Sequence, residues 1–320
     1  MLSRVAESIY WMSRQVERAE NIARFLEVTH NWTLDQPEDE VDHWLPLIEV
    51  SGDKQIFTAK HPLANAETVT QFLAFDTSYV NSMISSLRQA RANARSVRES
   101  LSSETFEQVN DFYRFVADAA KAQPLDSPND FFDAVRRIAL QWTGVLDSTM
   151  SHDIAWHFAN TGRLIERADK TSRVLDVKYF NLLPRIDDVG TAIDDLQWSA
   201  LLSAISGFEA YRREHHLVDI EKVVGFFLFN RSFPRSILYS ITGAAASLEQ
   251  INDCSKSTRS RKAVQIMLAL QHRLQETSVK EVLAGGMHQF VDVLQTELNQ
   301  IGEALNHDYF HSLGPQWPSA

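Results

Sequence analysis

An all-α fold, a helical bundle built from two duplicated, pseudo-symmetric halves, follows from three features of the sequence. Apolar residues recur every three or four positions over long stretches, as at Val5, Ile9, Met12, Val16, Ala19, Ala23 and Leu26, which fall on one helical stripe. The chain shows no strand-like alternation and no β-branched run between turns, and its 320 residues include only 11 Gly and 9 Pro. Third, a polar-rich stretch returns: RQVERAENIARFLEV at 14–28 comes back as RLIERADKTSRVLDV at 163–177.

These two stretches stand at an offset of 149 and agree at Arg14/Arg163, Glu17/Glu166, Arg18/Arg167, Ala19/Ala168, Arg24/Arg173, Leu26/Leu175 and Val28/Val177. Glu20/Asp169 and Glu27/Asp176 are near-equivalents. Such likeness within one chain predicts a duplicated unit, with 1–150 and 151–320 as helical halves packed into one compact body. A fainter match, LAFDTSYVNSMISSL at 73–87 against FLFNRSFPRSILYSI at 227–241, has an offset of 154.

The first helix is predicted over 3–31. Its apolar stripe faces a core, while Arg14, Glu17, Arg18, Asn21 and Arg24 lie opposite, beside Tyr10, Phe25 and Val28. A polar face studded with such side chains is not wholly solvated, so it is covered or lines a groove. Over 31–64, Pro37, Pro46 and Pro62, the acidic run Glu38-Asp39-Glu40 and the turn Ser51-Gly52-Asp53 predict a linker holding one short helix at 45–50. Helix resumes near Ala66 and continues, past Asp76-Thr77-Ser78, to Arg98. The next runs from Ser103, an expected N-cap, to Lys121. After a loop at 123–128 comes helix at 129–146.

The second copy's helix is expected over 151–180, ended by Leu183-Pro184-Arg185. Ile154, Phe158, Ile165, Ala168 and Leu175 form its stripe; Arg163, Glu166, Arg167, Lys170 and Arg173 sit opposite. Helices follow at 190–215 and 218–229, then, after a break at 230–236, at 234–252, 258–276 and 278–306, the last weakened at Gly285-Gly286.

A net charge of −11 argues against non-specific nucleic-acid binding, which needs a basic surface. Arg88, Arg91, Arg95 and Arg98 share one helix face, either a solvated stripe or a contact for an acidic partner or a phosphate-bearing ligand. One cysteine, Cys254, permits no internal disulfide and fits a reducing compartment. No apolar run approaches the roughly 18 residues of a spanning helix, and the charged N-terminal stretch is not a signal peptide. A cytoplasmic protein with no membrane contact is expected.

The candidate chemistry sits on the two Glu-Arg dipeptides. Arginine offers planar bidentate donors for a carboxylate or phosphate, and Glu17 or Glu166 could orient such a ligand or accept a proton. Alternatively, each set forms buried ion pairs between helices and fixes their register. Arg24 and Arg173 share that choice. Pro234 opens a predicted helix, and Arg235 beside its N-terminus is a further anion-binding candidate, or an ordinary helix start. The ligand-binding set is therefore Arg14, Glu17, Arg18, Asn21, Arg24, Arg163, Glu166, Arg167, Arg173 and Arg235, with Glu17 and Glu166 as catalytic candidates. No metal site is expected, because neither dipeptide belongs to a Glu-x-x-His set. No nucleotide-binding loop or nucleophile motif is present.

The stretches LSRVAESIYWMSRQVERAENIARFLEV, GRLIERADKTSRVLDV and FPRSI resemble the bacterial alpha-E domain family over 1–306. The resemblance implies an all-α cytosolic protein that travels, as neighbour or fusion, with a circularly permuted ATP-grasp protein and a transglutaminase-like protease. Those associations imply a role in making or processing a peptide or amide-linked product; this chain has no ATP-grasp segment of its own, and no cofactor is expected for it. By position the resemblance marks Glu17, Arg18, Glu166, Arg167 and Arg235; the first-copy counterpart of the Pro-Arg-Ser element reads Ser78-Tyr79-Val80-Asn81-Ser82 and departs from it. Two functions follow as expectations. One is an accessory binding or scaffold subunit of an ATP-grasp-type ligase, its arginine-rich faces holding an anionic or peptide ligand or partner. The other is an enzyme of the same pathway with the Glu of the dipeptides as general base.

Overall fold

The structure, a computed structural model, describes residues 1–34, 44–181, 192–254 and 261–310, and every regular element among them is helical. Two long helices form the axis: α1 (Ser3–Leu34) and α8 (Ile154–Asn181). On α1 the apolar stripe is buried, but so are Tyr10, Glu17, Glu20, Asn21 and Arg24 on the other side. A helix covered on all faces belongs at the centre of its fold. The pair run in the same direction, since Gly162 abuts Tyr10 and, further along both, Arg167 meets Glu17. Their approach requires glycine: a Cβ at residue 162 would stand 2.4 Å from the Tyr10 carbonyl oxygen.

The remaining helices wrap this axis in a like order on each side. α5 (Met83–Ser96) and α7 (Pro128–Thr149) pack on α1, and α6 (Ser103–Lys121) packs on both of them. α12 (Ile237–Cys254) and α15 (Met287–Leu305) pack on α8, with α13 (Lys262–Glu276) against both. The two groups also interlock: α9 (Ala192–Ala204) packs on α1, and the π turn Asn306–Phe310 after α15 sets Phe310 5.3 Å from the Tyr10 ring.

Several boundaries differ from those the sequence predicts, each for a local reason. The short helix α2 (Leu45–Ser51) is followed by another, α3 (Lys54–Thr58). α4 (Ala66–Thr70) continues into the π turn Gln71–Phe75, and the chain then turns at 76–82 instead of running on as helix. There Asp76 Oδ1 accepts the Ser78 amide at 2.8 Å, and the Ser82 hydroxyl donates to the Asp76 carbonyl at 2.7 Å. Ser102, not Ser103, caps α6, accepting the Thr105 amide at 3.1 Å. The helix expected over 190–215 is two, α9 and α10 (Phe208–His215). They part at Ser206, whose φ is 54°, and at Gly207, where a Cβ would meet the Phe226 ring at 2.9 Å.

Downstream, α11 (Ile220–Phe229) precedes a turn, and α12 starts at Ile237 instead of Pro234 because Ser236 is its cap, accepting the Tyr239 amide at 3.1 Å. α14 (Val279–Gly285) and α15 part at Gly286, with φ 94°, at the expected weak point. The acidic run Glu38-Asp39-Glu40, the stop at Leu183-Pro184-Arg185 and the helix starts at Gly190 and Thr258 lie outside the described residues. No described helix is long and apolar enough to cross a membrane.

Candidate functional site

The two Glu-Arg dipeptides face each other across the α1–α8 contact and pair crosswise. Glu17 is held bidentately by Arg167, whose Nε and Nη2 each donate at 2.8 Å. Reciprocally, Arg18 donates to Glu166 from Nε at 2.7 Å and from Nη2 at 3.1 Å. Neither acid pairs with its own neighbour, because adjacent residues on a helix point about 100° apart. Glu17 is 2% and Glu166 0% exposed.

A second layer extends each pair. Glu20 accepts from Arg24, one turn on, at 3.0 and 2.7 Å; Arg24 also reaches the Ser206 hydroxyl at 2.7 Å. Arg235 bridges the acids, donating to Glu17 at 3.2 Å and to Glu20. Asn21 donates to Glu17 at 3.2 Å and accepts from Arg235 at 3.4 Å. On the Glu166 side, Arg14 Nε donates to Glu166 at 2.9 Å. Asp169 accepts from Lys170 at 2.9 Å and from Arg173, one turn on, at 3.1 Å; Arg173 also donates to the Val50 carbonyl at 2.7 Å.

Arg235 therefore meets acids, not an open helix end. It lies in the turn at 230–236, which shares two side-chain hydrogen bonds with the turn at 76–82. Asn230 Oδ1 accepts the Ser232 amide at 2.9 Å, and the Ser236 hydroxyl donates to the Asn230 carbonyl. Asn81 occupies the place of Arg235 in the first turn and accepts from Arg18 Nη1 at 2.7 Å. Arg163 departs from its counterpart Arg14: it donates to Asn160 at 2.6 Å, and its buried Nε finds no acceptor.

Protonation follows from this crowding. Burial alone raises both acids, but Arg167 and Arg235 outweigh it at Glu17 and hold that carboxyl below the usual range. At Glu166, Arg18, Lys170 and Arg14 do the same and hold the carboxyl at about 2. Burial, with Arg24 and Arg167 nearby, brings Arg235 down to about 10; burial and Arg167 bring Arg163 to about 10. Lys170 is also lowered, chiefly by burial. Both acids are thus ionised, fully engaged acceptors, unsuited to taking a proton from a substrate at neutral pH.

All ten sequence-derived candidates lie on or beside this ionic centre. Sequence reasoning passed over Glu20, Asp169, Lys170 and Asn81 as site residues. The signal for the first two was present, an acid four residues before an arginine in both copies. Elsewhere, α5 ends at Ser96 and Arg98 lies in the 3-10 turn Arg98–Ser100, so the expected arginine face stops at Arg95; Arg91 donates to Asn110 of α6 at 2.7 Å and Arg98 lies over the Phe106 ring. Cys254 is exposed. Asp176 and His288 form a hydrogen-bonded pair at 2.7 Å, with Asp292 3.9 Å from the other ring nitrogen. Two surface grooves, one beside Gly286 and Phe290 and one beside Lys222 and Phe229, lie away from the dipeptides.

The Alpha-E family model, described as a predicted alpha-helical domain with a conserved ER motif, matches residues 1–310. Uncharacterized proteins of Mycobacterium bovis and Mycobacterium tuberculosis are each 26% identical over 308 residues, covering 89% of this chain and 34% of theirs. The chain thus spans about a third of the length of these curated relatives. No solved structure matches it.

Proposed function

This chain belongs to the Alpha-E family, and on that footing we propose that it is an accessory binding subunit of an ATP-grasp-type peptide or amide ligase system. Its helical body docks the ligase, in company with a transglutaminase-like protease, and its cation-rich central helices hold an anionic ligand or partner. The observation that carries this reading is the charge balance at the ionic centre. Among the described residues, Arg14, Arg18, Arg24, Arg163, Arg167, Lys170, Arg173 and Arg235 gather around the four central acids Glu17, Glu20, Glu166 and Asp169, with Asp147, Asp176 and Glu27 at the margin beside Arg163, Arg173 and Arg24. The central acids set the cations in place and are outnumbered by them at the centre itself, which favours binding of an anion over proton transfer. The engaged, low-pKa carboxyls weigh against the enzymatic alternative.

The length of the relatives supports a role beside other protein segments, since they carry further chain beyond the matched part. The same reading takes 1–150 and 151–320 as copies of one unit, supported by the shared turn geometry and the like order of helices around α1 and α8.

Co-expression of the tagged chain with an ATP-grasp-type ligase and a transglutaminase-like protease from the same organism tests the proposal. Co-elution that weakens at high salt is the expected result. Failure to associate even with nucleotide and an acidic peptide substrate present would overturn it.

A further inference from the structure

The ionic centre has one closed side and one that reaches the surface. Around Glu17 and Glu20, the side chains of Arg24, Arg167 and Arg235 are 3%, 7% and 7% exposed. Around Glu166 and Asp169, those of Arg14, Arg18, Lys170 and Arg173 are 15%, 14%, 16% and 22% exposed. An exchange of residue types accounts for the difference. On the closed side the turn supplies a long arginine, Arg235, and the helix supplies Asn21. On the open side the turn supplies the short Asn81, and the helix supplies Lys170 at the position matching Asn21.

Lys170 Nζ sits 2.9 Å from Asp169 and 3.6 Å from Glu166, on the same two carboxylates that Arg14, Arg18 and Arg173 hold. Four cations thus share two carboxylates directly, with Asp176 beside Arg173 as a further acid, so positive charge is locally in excess. Their donors are not all used inside the protein: an ammonium has three, and each guanidinium has five. Every nitrogen of Arg14 and Arg18 has an acceptor within the protein, as do Lys170 Nζ and Arg173 Nε and Nη1, but the Nη and Nζ atoms carry more than one N–H each and all four side chains remain partly exposed.

We propose that this rim, formed by Arg14, Arg18, Lys170 and Arg173, is a binding site for the dianionic phosphate group of a phosphomonoester. A partly exposed rim with an excess of positive charge suits a phosphate, which carries about −1.5 to −2 near neutral pH. Neighbouring guanidinium forks with one ammonium point charge also suit a tetrahedral oxyanion. The proposal rests on reading the cation-rich face as a binding surface, but not on the ligase partner.

The test therefore uses the chain alone, titrated calorimetrically with methyl phosphate and with inorganic phosphate at constant ionic strength. Saturable binding that strengthens from about pH 5 to pH 7, as the monoester gains its second charge, is expected. Lys170→Gln and Arg173→Gln should each weaken it about tenfold, Lys170→Arg should restore most of it, and Arg95→Gln on the exposed face of α5 should leave it unchanged. Thermal melts establish that each variant is folded; Arg173→Gln carries the test should Lys170→Gln not fold. Preference for methyl phosphate, or equal binding of both probes, supports the site. Absence of saturable binding, or equal weakening by Arg95→Gln, overturns it while leaving the ligase association to stand or fall by its own experiment.

Discussion

Glu17 and Glu166 occupy the same dipeptide, yet their removal should cost different amounts. Glu17→Gln leaves Arg167 and Arg235 charged in a closed interior, and breaking a buried pair from one side costs about 3–5 kcal/mol. Glu166→Gln frees Arg14, Arg18 and Lys170, which reach water, so about 1–3 kcal/mol is expected. Urea denaturation of both variants decides; equal losses would contradict the closed-versus-open distinction. Acid should expose the same pairs. Both carboxyls are depressed in the fold, so their stabilisation is complete above the unfolded value of about 4.5 and is lost as pH falls towards about 2. The melting temperature should drop steeply below about pH 4.5 in the parent and less steeply in Glu17→Gln. At this scale the sequence marks the participants, because Glu17, Arg18, Glu166 and Arg167 recur as a set. It does not mark the pairing, since which acid meets which arginine depends on how two helices 149 residues apart are laid together.

Helices α1 and α8 touch closely enough that a single methyl group matters. Gly162→Ala would drive a Cβ against the Tyr10 carbonyl, a backbone atom that can yield only if the helices separate, and about 1–3 kcal/mol should be lost. Gly144→Ala, on the exposed face of α7 with open space around it, should gain about 0.5–1 kcal/mol by helix propensity alone. Thermal or urea unfolding of the two variants should move in opposite directions. The helices themselves were readable from apolar spacing; what escaped were the stops. The one-residue shift of the cap from Ser103 to Ser102 is set by the local Thr105 amide, whereas the bend at Ser206-Gly207 is set by contacts with the distant Arg24 and with the Phe226 ring. Ser206 keeps its left-handed backbone while its hydroxyl serves Arg24, a contact invisible to periodicity.

For the whole molecule, α1 lies within residues 1–150 and α8 within 151–320, and each supplies the counter-charges of the other. Residues 1–150 and 151–320 expressed separately should each be unstable and aggregate, whereas co-expression should recover a folded, co-purifying pair with the parent's helical circular dichroism. A stable, monomeric 1–150 fragment would show that the ionic centre is dispensable for folding. The all-α class was legible because nothing in the composition competes with it. The like order of helices around α1 and α8 was foreshadowed only by the two internal matches.

The crosswise pairs join residues 148 to 218 positions apart. During synthesis, Glu17 therefore emerges long before Arg167 and Arg235 exist to receive it. Until then the polar face of α1 must stay hydrated, and its charges keep the waiting segment from collapsing on itself or sticking to neighbours. The seam between the two central helices is thus written in side chains that tolerate water during the delay, and closing it means drying charges as well as burying the apolar stripe of α1.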